Sequence, residues 1–162
     1  MFDYKKKFFS IGSTYKNTVT LNGFSKNLSI TGWRIGYAHG PSEIIEAMNK
    51  LQMYSFVCAP SIAQRAVSQI MDADIPVFDY IKNRDYLYSQ LKDQYKVSLS
   101  EGAFYTFVKV PEAIDDFYDK LIDQKLLIVP GNIFSRNNDY FRISFAVDFE
   151  LLQKGVQILK DI

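Results

Sequence analysis

The pattern of apolar and polar positions along the chain changes character near Asp74. Before it, the run Thr18-Val19-Thr20-Leu21 is short and β-branched and ends at Asn22-Gly23, which predicts a buried strand entering a tight loop. Arg34-Ile35-Gly36-Tyr37-Ala38 predicts a second strand, stopped by Gly40-Pro41, where Pro41 can open a helix. That helix carries Ile44, Ile45, Met48 and Leu51 on one face, with Glu46 and Lys50 four apart on the other. A further helix beginning near Pro60 is predicted to turn Ile62, Ala66, Val67, Ile70 and Met71 inward.

After Asp74 the pattern predicts a helix near 76 to 95, a strand near 103 to 110 and a helix near 112 to 124. A short strand at 126 to 129, a strand near 140 to 146 and a final helix follow. Phe104-Tyr105-Thr106-Phe107-Val108 is aromatic and β-branched, as strands favour, and Asp148 can cap the last helix, which carries Leu151, Leu152, Val156 and Leu159. The fold class is α/β, with an α+β-like second lobe whose sheet contains the 103 to 110 and 140 to 146 strands. A boundary is expected at 72 to 75. The first part is too strand-poor to make a sheet core alone; its strands are expected to lack partners within the chain, so that exposed edges and apolar surface drive association.

Composition narrows the function classes. At 162 residues and 48% apolar, the chain can bury most of its surface on folding. A net charge of +1 gives no electrostatic reason to propose a nucleic acid or an anionic membrane as partner. Lys5, Lys6 and Lys7 read as a solvated basic turn, with no signal-peptide core behind them and no later apolar stretch near ~20 residues. The single cysteine, Cys58, excludes an internal disulfide framework and a cysteine-based zinc site, and it suits a reducing, cytoplasmic setting. No metal site is expected.

The candidate chemistry lies in Ser25-Lys26 and the Thr31-Gly32-Trp33-Arg34-Ile35-Gly36-Tyr37 string that follows. A lysine stands in the loop after one predicted strand, and an arginine eight positions on begins the next. Lysine suits imine chemistry because desolvation or nearby positive charge makes its amine nucleophilic. Arginine suits a phosphate because its planar fork gives two parallel charge-assisted hydrogen bonds. Taken alone, such a pair around a turn is most often two solvated surface charges.

The string is similar to the pyridoxal-phosphate lysine signature of class I/II aminotransferases of the aspartate-aminotransferase type: Ser-Lys, five residues, Gly, any residue, Arg, any residue, Gly-Tyr. Three later segments resemble the same family in the same order. They are Glu101-Gly102-Ala103-Phe104-Tyr105-Thr106-Phe107, Leu127-Ile128-Val129-Pro130-Gly131-Asn132-Ile133-Phe134, and Tyr140-Phe141-Arg142-Ile143-Ser144-Phe145-Ala146. The resemblance implies a homodimeric enzyme of fold type I that uses pyridoxal 5′-phosphate to move an amino group between an amino acid and a 2-oxo acid. It implies that Lys26 carries the cofactor as an imine and later moves the proton at the substrate Cα. By the same resemblance Arg34 binds the cofactor phosphate and Arg142 holds the substrate α-carboxylate, while Ser25 is the neighbouring hydroxyl available to assist the phosphate. Many relatives have a hydroxyl three residues before the lysine, where this chain has Gly23.

Residues 1–73 then correspond to the tail of a large cofactor-binding domain with linking helices, and 74–162 to a carboxy-terminal small domain. The family's pyridine-nitrogen aspartate, ring tyrosine and phosphate loop lie upstream of the lysine motif, so the chain alone is expected to be chemically silent. Lyases of the same fold share these motifs, and a non-catalytic module is the reading from a different class. Among the remaining residues, His39 reads as structural or exposed, Cys58 as a small buried hydrophobe, and Trp33 as packing on the strand face opposite Arg34. Tyr37 is open to a cleft or a core role.

Overall fold

The computed structural model describes residues 4, 8–71, 77–112, 114, 116–136 and 138–162. The chain divides into two compact units, one built on Lys7–Ile75 and the other on Pro76–Ile162, with Tyr4 belonging to the second. The expected boundary at 72 to 75 and the Lys5–Lys7 cluster lie outside the described residues.

In the first unit, β1 (Thr20–Gly23) pairs antiparallel with β2 (Gly36–His39), Gly23 facing Gly36 and Thr20 facing His39. The two predicted strands therefore partner each other, which corrects the expectation of partnerless edges. Each also starts two residues later than predicted. They form a ribbon and not a buried sheet, for only Thr20 and Ala38 in it are even half-buried. Between them run the single-turn helix α1 (Phe24–Asn27) and a 3-10 turn at Thr31–Trp33. Trp33 is thus not in a strand: it is exposed on that turn, and Arg34, at φ 51°, bends the backbone left-handed before β2 begins.

Pro41 and Pro60 stand immediately before α2 (Ser42–Ser55) and α3 (Ser61–Ile70), where a fixed φ and a missing N–H cost nothing. The apolar face predicted for α2 is not buried within this unit; Leu51 on it is 69% exposed. On α3 the buried pair is Ala63 and Val67, four apart, with Ala66 half-buried beside them. Ile62, expected inside, is 84% exposed, because it stands on the flank of that stripe, and Ile70 and Met71 are exposed as well. Ile35, Ala63 and Val67 form a small core packed by Phe24, Leu28, Ile30 and Ala59, so the loop between the strands is seated on α3. Cys58 is exposed, contrary to its reading as a buried hydrophobe. It follows Val57, whose φ of 66° turns the chain out of α2.

The second unit holds α4 (Val77–Leu91), β3 (Tyr105–Lys109), α5 (Phe117–Asp123), β4 (Val129–Pro130), β5 (Tyr140–Ser144) and α6 (Phe149–Asp161). Its sheet is antiparallel in the order β3-β5-β4, with Phe107 opposite Arg142 and Val108 opposite Phe141. The predicted strands at 103 to 110 and 140 to 146 are neighbours in it. Strand alternation sends Thr106, Val108 and Phe141 into the core and leaves Tyr105, Phe107, Arg142 and Ser144 on the other face. The helices cover the first face with Leu87 and Leu91 of α4, Phe117 and Leu121 of α5, and Leu152, Val156 and Leu159 of α6. Each such fully buried side chain contributes on the order of 1.5–3 kcal/mol.

Polar groups fix the helices to the sheet. Asp148 Oδ1 accepts from Glu150 N at 2.9 Å, the cap the sequence predicts. Buried Arg84 donates to Asp85 Oδ1 at 2.8 Å and to the Ser100 carbonyl at 3.1 Å, and it lies over the Tyr4 ring. The Tyr4 hydroxyl donates to the Ala103 carbonyl, and burial pushes its pKa up to about 12. Among the described residues, no helix is long and apolar enough to cross a membrane.

Candidate functional site

Lys26 and Arg34 stand at the same end of the β1–β2 ribbon. Phe24 N donates to the Ile35 carbonyl at 3.2 Å, just beyond the facing pair Gly23 and Gly36, and this bond closes the base of the loop that carries both cations. Lys26 lies in α1 two residues past that bond, and Arg34 one residue before its other end. The strands can approach this closely because Gly36 has no side chain. A Cβ on Gly36 would come within 2.5 Å of the Asn22 carbonyl oxygen.

The electrostatics here are those of a cationic, solvent-facing edge. Lys26 and Arg34 are both exposed and Ser25 is half-buried. Arg34 Nη1 donates to the Thr31 carbonyl at 3.0 Å, which steadies the guanidinium against its own turn. Among the described residues its remaining N–H groups have no protein acceptor. Tyr37 accepts a hydrogen bond from Asn22 Nδ2 at 3.2 Å and packs its ring on Phe24, so it is engaged within the ribbon. His39 faces Thr20 at the far end of the ribbon and is exposed.

An amine, a guanidinium and a hydroxyl at one ribbon end suit part of what pyridoxal phosphate needs: a covalent attachment point and partners for a phosphate dianion. Gly23 adds room beside them, since no heavy atom stands within 4 Å of where its Cβ would be. The residues present fit the group.

Arg142 belongs to the second unit. It projects from the sheet face away from the core, half-buried, facing Phe107 on β3 and Val129 on β4. Its guanidinium carbon lies 4.3 Å from the ring centre of Tyr105 and 4.4 Å from that of Phe134. Phe134 in turn meets Phe107 edge-on at 5.6 Å. Among the described residues the guanidinium has no hydrogen-bond or ion-pair partner. A groove lined by Ser98, Ala103, Tyr105, Phe107 and Phe134 opens onto it. A cation held over aromatic rings keeps N–H groups available for a planar anion such as a carboxylate.

The rings at Arg142 were not singled out in the sequence. Tyr105 and Phe107 carried a signal, being two apart on a predicted strand and so on one face. Phe134 did not, because its approach to Arg142 depends on strand register and on the turn after β4.

Comparison with known proteins places these features in context. The family model described as aminotransferase class I and II matches residues 5–159. The chain is 38% identical, over 98% of its length, to a protein of Methanocaldococcus jannaschii named "Probable aspartate aminotransferase", covering 46% of that protein. It is 34% identical over 91% of its length to an aspartate aminotransferase of Sulfolobus acidocaldarius, covering 41% of it. The crystal structure of an aspartate aminotransferase from Thermotoga maritima superposes with a TM-score of 0.89 at 31% identity, over 99% of this chain and 44% of that one. The chain thus spans about half the length of the relatives it matches.

Proposed function

The chain belongs to the class I and II aminotransferases, a pyridoxal-phosphate-dependent family, and on that premise we propose that it carries the attachment lysine and two anion-binding arginines of an enzyme moving an amino group between an amino acid and a 2-oxo acid. The observation that carries this reading is the ribbon end at which the Gly23–Gly36 pairing brings Ser25, Lys26 and Arg34 to one edge.

Bound there, pyridoxal phosphate would supply an electron-withdrawing ring able to stabilise negative charge at the substrate Cα. Lys26 would provide the amine for covalent attachment and the base that moves a proton between the substrate Cα and the cofactor's C4′. Arg34, already held by Thr31, would present its remaining N–H groups to the phosphate, with the Ser25 hydroxyl as a further donor. Arg142 grips the α-carboxylate with a two-pronged fork, and that fixed point orients the Cα–H bond for transfer.

In this reading the first unit is the end of a large cofactor-binding domain and the second is a carboxy-terminal small domain. The exposed apolar side chains of the first unit, Leu21, Leu51 and Tyr54 among them, support a homodimer. The single, exposed Cys58 suits a reducing cytoplasmic setting. Covalent trapping of pyridoxal phosphate by borohydride, with the modified lysine located by mass spectrometry, tests the reading.

A further inference from the structure

The Arg142 guanidinium is half-buried on a sheet face where, among the described residues, no anion or carbonyl holds it in place, yet two rings lie within 4.4 Å of it. An arginine side chain with an unpaired head normally samples many rotamers, which dilutes the geometry a two-pronged contact demands. The two rings come from separate elements. Tyr105 is on β3, placed by the register that sets it opposite Ser144; Phe134 follows the turn after β4. Each ring is itself supported: Tyr105 by Phe104 at 4.2 Å and Phe134 by Phe107 at 5.6 Å. Phe134 is 47% exposed, so hydrophobic burial alone is a weak reason for its position.

We propose that Tyr105 and Phe134 are positioning residues that hold the Arg142 guanidinium by its faces, so that its N–H edge is aimed into the adjoining groove ready to receive a carboxylate. This rests on the reading of Arg142 as the carboxylate-binding residue. Face contacts suit the task because they leave every N–H group unspent, whereas a carboxylate partner would occupy the fork that the substrate needs. The rings thus do for Arg142 what a hydrogen-bonding neighbour does for most arginines, without competing for the ligand.

The test is a calorimetric titration of the full 162-residue chain and of every variant with 3-phenylpropionate, with the Nε–H resonance of Arg142 as a second readout wherever the arginine is present and the urea unfolding midpoint recorded for each. Phe134→Leu is expected to weaken binding about tenfold, as the loss of one well-placed cation–ring contact would, while leaving the unfolding midpoint near the parent's. Tyr105→Leu acts in the same direction, and Phe134→Tyr, which keeps a ring, restores parental affinity. Arg142→Ala separates the two levels. If Arg142→Ala loses binding but Phe134→Leu and Tyr105→Leu bind like the parent, the positioning role is wrong while the carboxylate reading stands. If the parent shows no saturable binding, or Arg142→Ala binds as well as the parent, both are overturned. An equal loss in Phe134→Leu and Phe134→Tyr also rejects the positioning role, because the ring would then not be what matters.

Discussion

Gly36 faces Gly23 across the ribbon, and the space where a Gly36 side chain would begin lies 2.5 Å from the carbonyl oxygen of Asn22. The close approach of the two strands sets the base of the loop that carries Lys26 and Arg34. Gly36→Ala must push the strands apart, a cost of about 1–3 kcal/mol for overpacking. We expect Gly36→Ala to lower the affinity of the chain for pyridoxal phosphate, read by the cofactor's absorbance, while Gly32→Ala, where the space is open, leaves it near the parent's.

Asn83, buried in the middle of α4, donates its Nδ2 group to the Phe145 carbonyl at 2.9 Å and to the Val147 carbonyl at 2.8 Å. Those bonds tie α4 to the chain leaving β5, just before α6. Replacing Asn83 with Leu strips two backbone acceptors of their donor and is expected to cost about 2–4 kcal/mol in urea unfolding of the second unit. An unchanged midpoint would show that water replaces the amide.

Burial raises the pKa of Tyr95, whose hydroxyl donates to the Leu159 carbonyl at 2.5 Å and so ties it to α6. A phenol with a raised folded pKa stabilises the fold fully below its unfolded value of about 10, and that contribution is lost as pH climbs through the folded pKa. Stability should therefore fall on the alkaline side, above about pH 10. Tyr95→Phe should flatten that limb and cost about 1 kcal/mol at neutral pH, measured by denaturant midpoints across the range.

Val57 holds φ at 66°, a left-handed conformation that a β-branched residue adopts only under strain, at a cost of about 1–2 kcal/mol. Its side chain is 69% exposed and contributes little burial in return. Val57→Gly is expected to raise the thermal midpoint of the first unit. A lowered midpoint would mean that the valine makes contacts that outweigh the strain.

Local signals made much of this legible in the sequence. Asp148 before an apolar stripe gave the α6 cap, the prolines at 41 and 60 gave two helix starts, and the aromatic, β-branched run at 104–108 gave a long strand of the second unit. Two kinds of error have physical causes. Apolar periodicity marks a face without saying what covers it, so the faces proposed for α2 and α3 include exposed Leu51 and Ile62, and the stripe that is buried runs through Ala63 and Val67. Pairing is non-local: that β1 and β2 join each other could not be read from either strand. The same limit hid the rings at Arg142, because only the β3–β5 register and the turn after β4 bring Tyr105 and Phe134 to it.

Lys26 and Arg142 are assigned different tasks, and that difference makes the account testable. With a sub-stoichiometric amount of pyridoxal phosphate, borohydride reduction and peptide mass spectrometry, the parent chain should carry the reduced cofactor on Lys26 ahead of its other lysines. Lys26→Ala should lose that label. Arg142→Ala should keep it, and in turnover assays of a full-length assembly it should bind amino acid more weakly, by about 1.5–3 kcal/mol, the usual worth of a charge-assisted contact. Equal labelling of Lys26→Ala and the parent, with the cofactor on other lysines, would contradict the assignment of Lys26 and with it the proposed function.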